Sequence, residues 1–432
     1  MKSNDRTSTG RAGKNIPRRW EMLTSSLFYV AVCIFVFAPE GADATIITTG
    51  DVEPGPPGVQ ADPWSVGLLN VALSSDGGMT IDGGSHVYSN SSYLGYASGA
   101  NATLSITGPG STLDTSGTIT IGDSGTADAT INSGGTISSG GNTFVGINSP
   151  GNTVIVEGAS GGMDATMAVG GSLYLGGGTS GPSGGTADVT IGTGGTLTAS
   201  AGTYVYHGSH LNIGQDNLTS NGVTLAGGSL SGNSSTSRLN LDDSGTVSGW
   251  GNIDVDVYMG SGGLIDGDLA SWLQISGTLF GSGTIRRANL LESSLTSTLA
   301  IGDHFNGSSL AGSLIFDDVQ VDPGTTLHFG IHGTSASAYD RLTLTGQDTI
   351  DGIAQISFLD GFIPDPSDTF QIIDAFSAES VAGWFGEVYA PSYWHLDNTG
   401  LLYYSVPEPS GLLIILFGCL LFCRRRRLPV EC

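Results

Sequence analysis

From Gly67 to about Ser231 the chain alternates apolar and hydroxylic residues in short runs, each closed by glycine. The clearest stretch is Thr118 to Ile137, TITIGDSGTADATINSGGTI, where β-branched residues recur with period two. That alternation predicts half-buried strands, one face apolar and the other Thr or Ser. Glycine pairs such as Gly134-Gly135, Gly161-Gly162, Gly184-Gly185 and Gly194-Gly195 fall between the runs, where a tight corner needs positive φ. No unit holds an apolar pattern of helical period over eleven residues.

The pattern returns on both sides, in Tyr93 to Leu113 and in Leu173 to Leu197. Aligning the last turn glycines, Gly110, Gly135 and Gly195, also aligns Ile106, Ile131 and Ile191, four residues before each. The first spacing is 25 residues; the second, 60, leaves room for a degenerate unit around Val154 to Val156. A recurrent period in this range predicts stacked repeats. A single unit cannot bury its own inner face, so stability must come from its neighbours. The expected fold class is therefore all-β: a β-solenoid (β-helix) over residues 66–320, of roughly ten coils stacked at about 4.8 Å, with a β cap after it.

The flanks are read differently. Residues 1–44 carry a basic stretch (Lys2 to Arg19), an apolar run (Met22 to Ala38) and a small-x-small site at Ala42-Asp43-Ala44. These are the parts of a secretory signal peptide cut after Ala44. Residues 45–65 are a Pro/Gly-rich leader, expected to be extended and loosely held, with order beginning near Trp64. Residues 321–405 hold longer, more aromatic runs, expected of a terminal cap that closes the last coil. They resemble the ending of passenger-like extracellular β-repeat proteins, on Tyr339-Asp340-x-Leu342, Gly361-Phe362-x-Pro364 and Phe370-x-Ile372-Ile373, a resemblance that implies a β-sandwich-like cap. An autotransporter passenger is disfavoured, because no run of barrel strands follows.

At the C-terminus, residues 406–432 place Pro407-Glu408-Pro409 before an apolar run, Gly411 to Cys423, and the cluster Arg424, Arg425, Arg426 and Arg427. Proline can start a helix, and the arginines would hold the end in the cytoplasm as a stop-transfer signal. The 13 residues of the run would span roughly 20 Å, less than the bilayer core of about 30 Å. The order of motif, apolar helix and basic cluster resembles the PEP-CTERM sorting signal of Gram-negative bacteria. That resemblance implies export, transient insertion of one short transmembrane helix in the inner membrane, and cutting at Pro407 to Pro409 by an exosortase. It further implies release to the cell surface and association with exopolysaccharide or biofilm matrix.

Charge narrows the partners. Of 432 residues only 12% are charged, and between Thr45 and Ser410 there are 34 acids, four arginines and no lysine. A body of charge −30 is a poor partner for nucleic acid. The four cysteines, Cys33, Cys419, Cys423 and Cys432, all fall in the flanks, so the body is expected to stand without disulfides or thiol-bound metal.

Candidate chemistry is sparse. His207 and His210 have metal-like spacing but no companion acid at a fixed offset, and His328 and His332 share a strand face. The acid pairs Asp242-Asp243, Asp266-x-Asp268 and Asp317-Asp318 are weak calcium candidates at coil corners that do not match the Gly-Gly-x-Gly-x-Asp repeat. No other cofactor is expected. No nucleophile elbow, phosphate loop or zinc-helix motif occurs. The expected function is thus a non-enzymatic structural or adhesive surface protein, reached by the secretion machinery and exosortase, with extracellular polysaccharide as a partner. The alternative is a polysaccharide lyase or hydrolase on the same fold, although a lyase would want basic residues that this body scarcely has.

Overall fold

A computed structural model describes residues 44–406 apart from 160–161, 215–217, 221, 233–236, 242–244, 261, 292–297, 303–310 and 376–380. The chain is all-β: among the described residues there are 44 strands and no helix. Most strands pair in parallel with the corresponding strand of the next repeat, so three ladders run side by side through the repeats. The first contains Leu68–Val71, Ser91–Leu94, Ile119–Ile121, Thr143–Val145, Ser172–Leu175 and Gly202–Tyr206. The second contains Gly77–Asp82, Asn101–Thr107, Thr126–Asn132, Asn152–Glu157, Ala187–Ile191 and His210–Ile213. The third contains His86–Ser89, Thr112–Thr115, Thr136–Ser139, Ala165–Val169, Gly195–Ala199 and Leu218–Ser220.

Register follows the sequence pattern. Ile106 lies beside Ile131, Ile131 beside Val156 and Val156 beside Ile191, so the degenerate unit is present and in place. The glycine alignment is off by one, since Thr112 pairs with Thr136 and so brings Ser111, not Gly110, level with Gly135. The turn after Ile106 is one residue longer than the turn after Ile131. Inward positions stack aliphatic on aliphatic: Val71, Leu94, Ile121, Val145, Leu175 and Val205 form one column, each fully buried. Burying each such side chain is worth about 1.5–3 kcal/mol, and none is covered without its neighbours above and below. Ten strands of the third ladder begin between residues 66 and 320.

The corner between the first and second ladders sets the shape of each repeat. It is occupied by Ala72, Gly95, Gly122, Gly146 and Gly176, with φ of 59, 67, 73, 68 and 79°. Space reinforces conformation there: a Cβ on Gly146 would sit 2.2 Å from the carbonyl oxygen of Thr186. At Gly122 it would meet the carboxamide of Asn152, which is fully buried and accepts a 2.9 Å hydrogen bond from the Ala127 N–H. From Val223 onward this corner opens in four units, where single long strands run through both ladders: Val223–Gly232, Thr246–Asp254, Gly283–Leu290 and Ser313–Val321; in others the strands stay separate, as in Leu264–Gly267 and Leu273–Ile275. The long strands still bend at left-handed residues, Gly227, Gly249, Arg287 and Asp318.

The same corner can lengthen beyond its glycine without disturbing register. Six residues lie between Val145 and Asn152, whereas eleven lie between their partners Leu175 and Ala187. The excess forms a small antiparallel hairpin, Gly177–Gly178 against Gly181–Pro182, and Tyr206 Oη donates to the Gly178 carbonyl at 3.1 Å.

Two boundaries differ from expectation. The stretch 45–65 is part of the sheet and not a loose leader. Thr45–Gly50 pairs antiparallel with Gly77–Asp82 on one side and with Gly58–Gln60 on the other. Its alternation buries Ile46 and Thr48, and Thr48 Oγ1 accepts bonds from Gln60 Nε2 and Gly58 N. Asp51 takes the Ser74 N–H at 2.6 Å and the Ser75 N–H at 2.9 Å, which holds its carboxyl below the usual range. The prolines that suggested a linker flank the edge strand, where a missing N–H costs no ladder bond.

Nor does a separate sandwich begin at 321. Thr326–Ile331 pairs in parallel with Thr298–Ile301 before it and Ile353–Phe358 after it, and the ladder continues to Glu387–Tyr389. The antiparallel part is narrower: Thr369–Gln371, Trp394–Leu396 and Leu401–Tyr404. Phe358, Phe370 and Trp394 pack there with ring centroids 5.2–6.3 Å apart. The aromatic content that suggested a new domain covers the end of the same ladders.

The corner column gives a direct test. Gly146→Ala combines left-handed strain with a backbone clash, whereas Gly151, at φ 81°, has open space around its missing Cβ. Gly151→Ala should cost about 1–2 kcal/mol, and Gly146→Ala should cost clearly more, read as a larger drop in thermal midpoint. Equal drops would show that the corner is not sterically fixed.

Candidate functional site

Three places on the described surface bring polar or aromatic side chains together. The most developed is an open groove of about 530 Å³ on the third ladder, lined chiefly by Ser65, Tyr88, Asn90, Asp114, Ser116 and Ser138. Ser65 lies beside Tyr88, Tyr88 beside Asp114, and Asp114 beside Ser138, so four successive strands each give one outward residue to a single column. Along this column a hydrogen-bonded chain is built. His86 Nδ1 meets Thr112 Oγ1 at 2.9 Å, Thr112 Oγ1 donates to Asp114 Oδ2 at 3.2 Å, and Ser138 Oγ donates to Asp114 Oδ1 at 2.5 Å. The His86 and Tyr88 rings are nearly parallel, with centroids 6.1 Å apart and 5° between planes. Tyr88 remains 42% exposed. Behind the groove the corner is closed by buried hydroxyls: Ser89, Ser92 and Thr115 bond one another at 2.8–2.9 Å, and Ser139 bonds Thr143 at 2.8 Å.

The second place is an aromatic stack on the outer side of the first ladder. Phe144, Tyr174 and Tyr204 are successive partners, with centroids 5.0 and 4.8 Å apart and planes within 15°. Their faces are spent on one another. Tyr206 beside them is buried, and that burial, with Tyr174 and Tyr204 nearby, raises its phenol.

The third is a charged column at the open corner, where Asp266, Arg286 and Asp317 are successive partners. The Arg287 guanidinium binds Asp266 Oδ1 and also donates from Nε to the Gly267 carbonyl at 2.6 Å, while Arg286 reaches Asp317 at 3.4 Å. Asp266 is thus engaged by a cation of the chain itself, and Asp268 Oδ1 accepts from Ala270 N at 3.1 Å in a local turn. Asp318 Oδ1 accepts from Gln347 N at 2.8 Å. Among the described residues no group of three or more His, Cys, Asp or Glu is arranged to hold a metal ion. Asp242 and Asp243 lie outside the described residues.

The histidines are dispersed. His210 bonds Ser229, His207 sits near Trp250 with centroids 6.3 Å apart, and His332 Nδ1 meets Asp360 at 2.7 Å. His207 and His210 do not converge on a common partner. The signal and sorting residues Ala42, Pro407, Glu408, Pro409 and Arg424 to Arg427 also fall outside the described residues, and Ala44 is exposed immediately before the first strand. Among the described residues no helix is long and apolar enough to cross a membrane, and Gly411 to Cys423 lies outside them. No protein-family model matches the chain, and no curated protein matches it in sequence.

One buried acid was missed in the sequence. Asp348 is fully buried, accepts the Val319 N–H at 2.8 Å and has no partner for Oδ2. Burial raises its pKa to about 6 against the backbone bonds that lower it, and Asp317 and Asp318 push the same way as burial. Because the folded pKa is raised, the native state binds the extra proton and stability falls as pH rises from about 4 to 6. The loss is on the order of 2–3 kcal/mol at about 1.4 kcal/mol per unit. Asp348→Asn keeps an acceptor for Val319 and carries no charge, so it should be more stable than the parent at pH 8 and similar near pH 4. Denaturant midpoints at the two pH values check this; a variant that is weaker at pH 8 refutes it.

Proposed function

We propose that this is an exported cell-surface protein with a structural or adhesive role, built on a β-solenoid and sorted through a PEP-CTERM tail. The observation that carries the reading is the parallel pairing of each strand with its counterpart one repeat on, in three ladders from Leu68–Val71 to Glu387–Tyr389. Such a stack is a long surface with no disulfide and few charges of positive sign, suited to an extracellular matrix in which contact area matters more than one reaction centre. Its outer face is hydroxylic and acidic, as expected of a partner for hydrated polysaccharide.

The ends support the sorting route. The first described strand starts at Thr45, one residue after the expected signal cut at Ala44, and the last described strand ends at Tyr404, three residues before Pro407. Cutting at either expected point therefore breaks no described strand pairing. The groove contains one carboxylate, Asp114, whereas two-carboxylate glycoside hydrolysis needs a pair. That observation favours a binding surface over the enzymatic alternative.

Intact-mass measurement of surface-released protein tests the route. The expected species begins near Thr45, ends near Pro409 and lacks Arg424 to Arg427. Replacing Pro407, Glu408 and Pro409 by alanine should leave full-length protein in the membrane. A released species that still carries Cys432, in cells that express an exosortase, refutes the sorting reading.

A further inference from the structure

We infer that the groove over the third ladder is a binding site for an uncharged glycan lying along the stacking direction, an assignment that rests on the surface-matrix reading and names its ligand class. Three observations carry it: the chemistry of the lining, the repeat of the column and the fixed orientation of its acceptor.

The lining joins one half-exposed aromatic ring, Tyr88, to hydroxyls, an amide and a carboxylate. A sugar presents the same two faces, C–H groups that pack on an aromatic ring and hydroxyls that need donors and acceptors. Other ligand classes fit less well. Phosphate or an acidic polysaccharide would find no basic side chain among the lining residues, and the surrounding body carries −30. A lipid or apolar peptide would find little beyond Val66 and the Tyr88 ring.

The column Ser65, Tyr88, Asp114, Ser138 repeats at the strand spacing of about 4.7–4.9 Å, comparable to one sugar of an extended chain. Each strand of the groove can therefore face one sugar residue. The column ends where Ala168, the next partner of Ser138, offers no hydrogen-bonding group. A short oligosaccharide fills it.

Asp114 is also held ready. Thr112 and Ser138 each donate to one of its oxygens, so the carboxylate is oriented before a ligand arrives and its remaining lone pairs can accept from sugar hydroxyls. His86 is bonded to Thr112, and its ring lies parallel to that of Tyr88.

The test uses the full chain in a detergent without a sugar headgroup, on a printed array of neutral and acidic oligosaccharides, followed by calorimetric titration of the best neutral hexasaccharide. Neutral oligosaccharides should be retained. Tyr88→Ala should weaken binding about tenfold or more, Asp114→Ala should weaken it as well, and Tyr88→Phe should retain it. Tyr389→Ala, another exposed tyrosine outside the groove, should bind as the parent. Circular dichroism confirms that each variant is folded. Retention of acidic oligosaccharides alone, no retained oligosaccharide, or undiminished binding by folded Tyr88→Ala overturns the assignment. The sorting reading is judged by tail mass, so either can fail without the other.

Discussion

The corner between the first and second ladders turns through left-handed φ in most repeats, and the register of the strands on either side follows from how each unit meets that demand. In the early units glycine supplies it, at Gly95, Gly122, Gly146 and Gly176, and the absence of a side chain lets the next unit close to contact distance, by its backbone at Gly95 and Gly146 and by the side chains of Asn152 and Ser209 at Gly122 and Gly176. With the corner fixed, the strands before and after it fall into lateral register with their counterparts, and inward aliphatics stack in columns. Where glycine is lost the demand remains. Arg287 and Asp318 take the same conformation, at a cost on the order of 1–2 kcal/mol each. Both side chains bond locally, Arg287 to Asp266 and Gly267, Asp318 to Gln347. The Arg287–Asp266 ion pair thus helps offset a backbone requirement.

The strands and their phase were legible because alternation and burial share one period. Ile106, Ile131 and Ile191 were aligned by sequence alone and are aligned in the ladders, with Val156 between them. What was hidden has physical reasons. The stretch 45–65 was masked by its prolines, though the Ile46-x-Thr48 alternation marks a strand buried on one face. The boundary at 321 was drawn on aromatic content, but aromatic side chains cap a ladder as well as they fill a sandwich. The slip at Gly110 is invisible because turn length and strand register are independent.

The groove was unreadable for a different cause. Tyr88, Asp114 and Ser138 are 24–26 residues apart, and each sits at an ordinary outward strand position. Nothing marks them until the register is known. Conversely, the spacing that drew attention to His207 and His210 carries no convergence, since their partners lie on other units. In a repeat protein the chemistry is read down columns, and sequence motifs run along rows.

The hairpin at Gly177 to Pro182 shows what such a design tolerates. The ladders resume on both sides of it with their pairing intact, Val145 beside Leu175 and Asn152 beside Ala187. Corner length is therefore decoupled from fold, and variation can accumulate there without selection against the core. The same position is a ready graft point, where a foreign epitope or recognition loop between Gly178 and Gly181 would be displayed on a rigid scaffold.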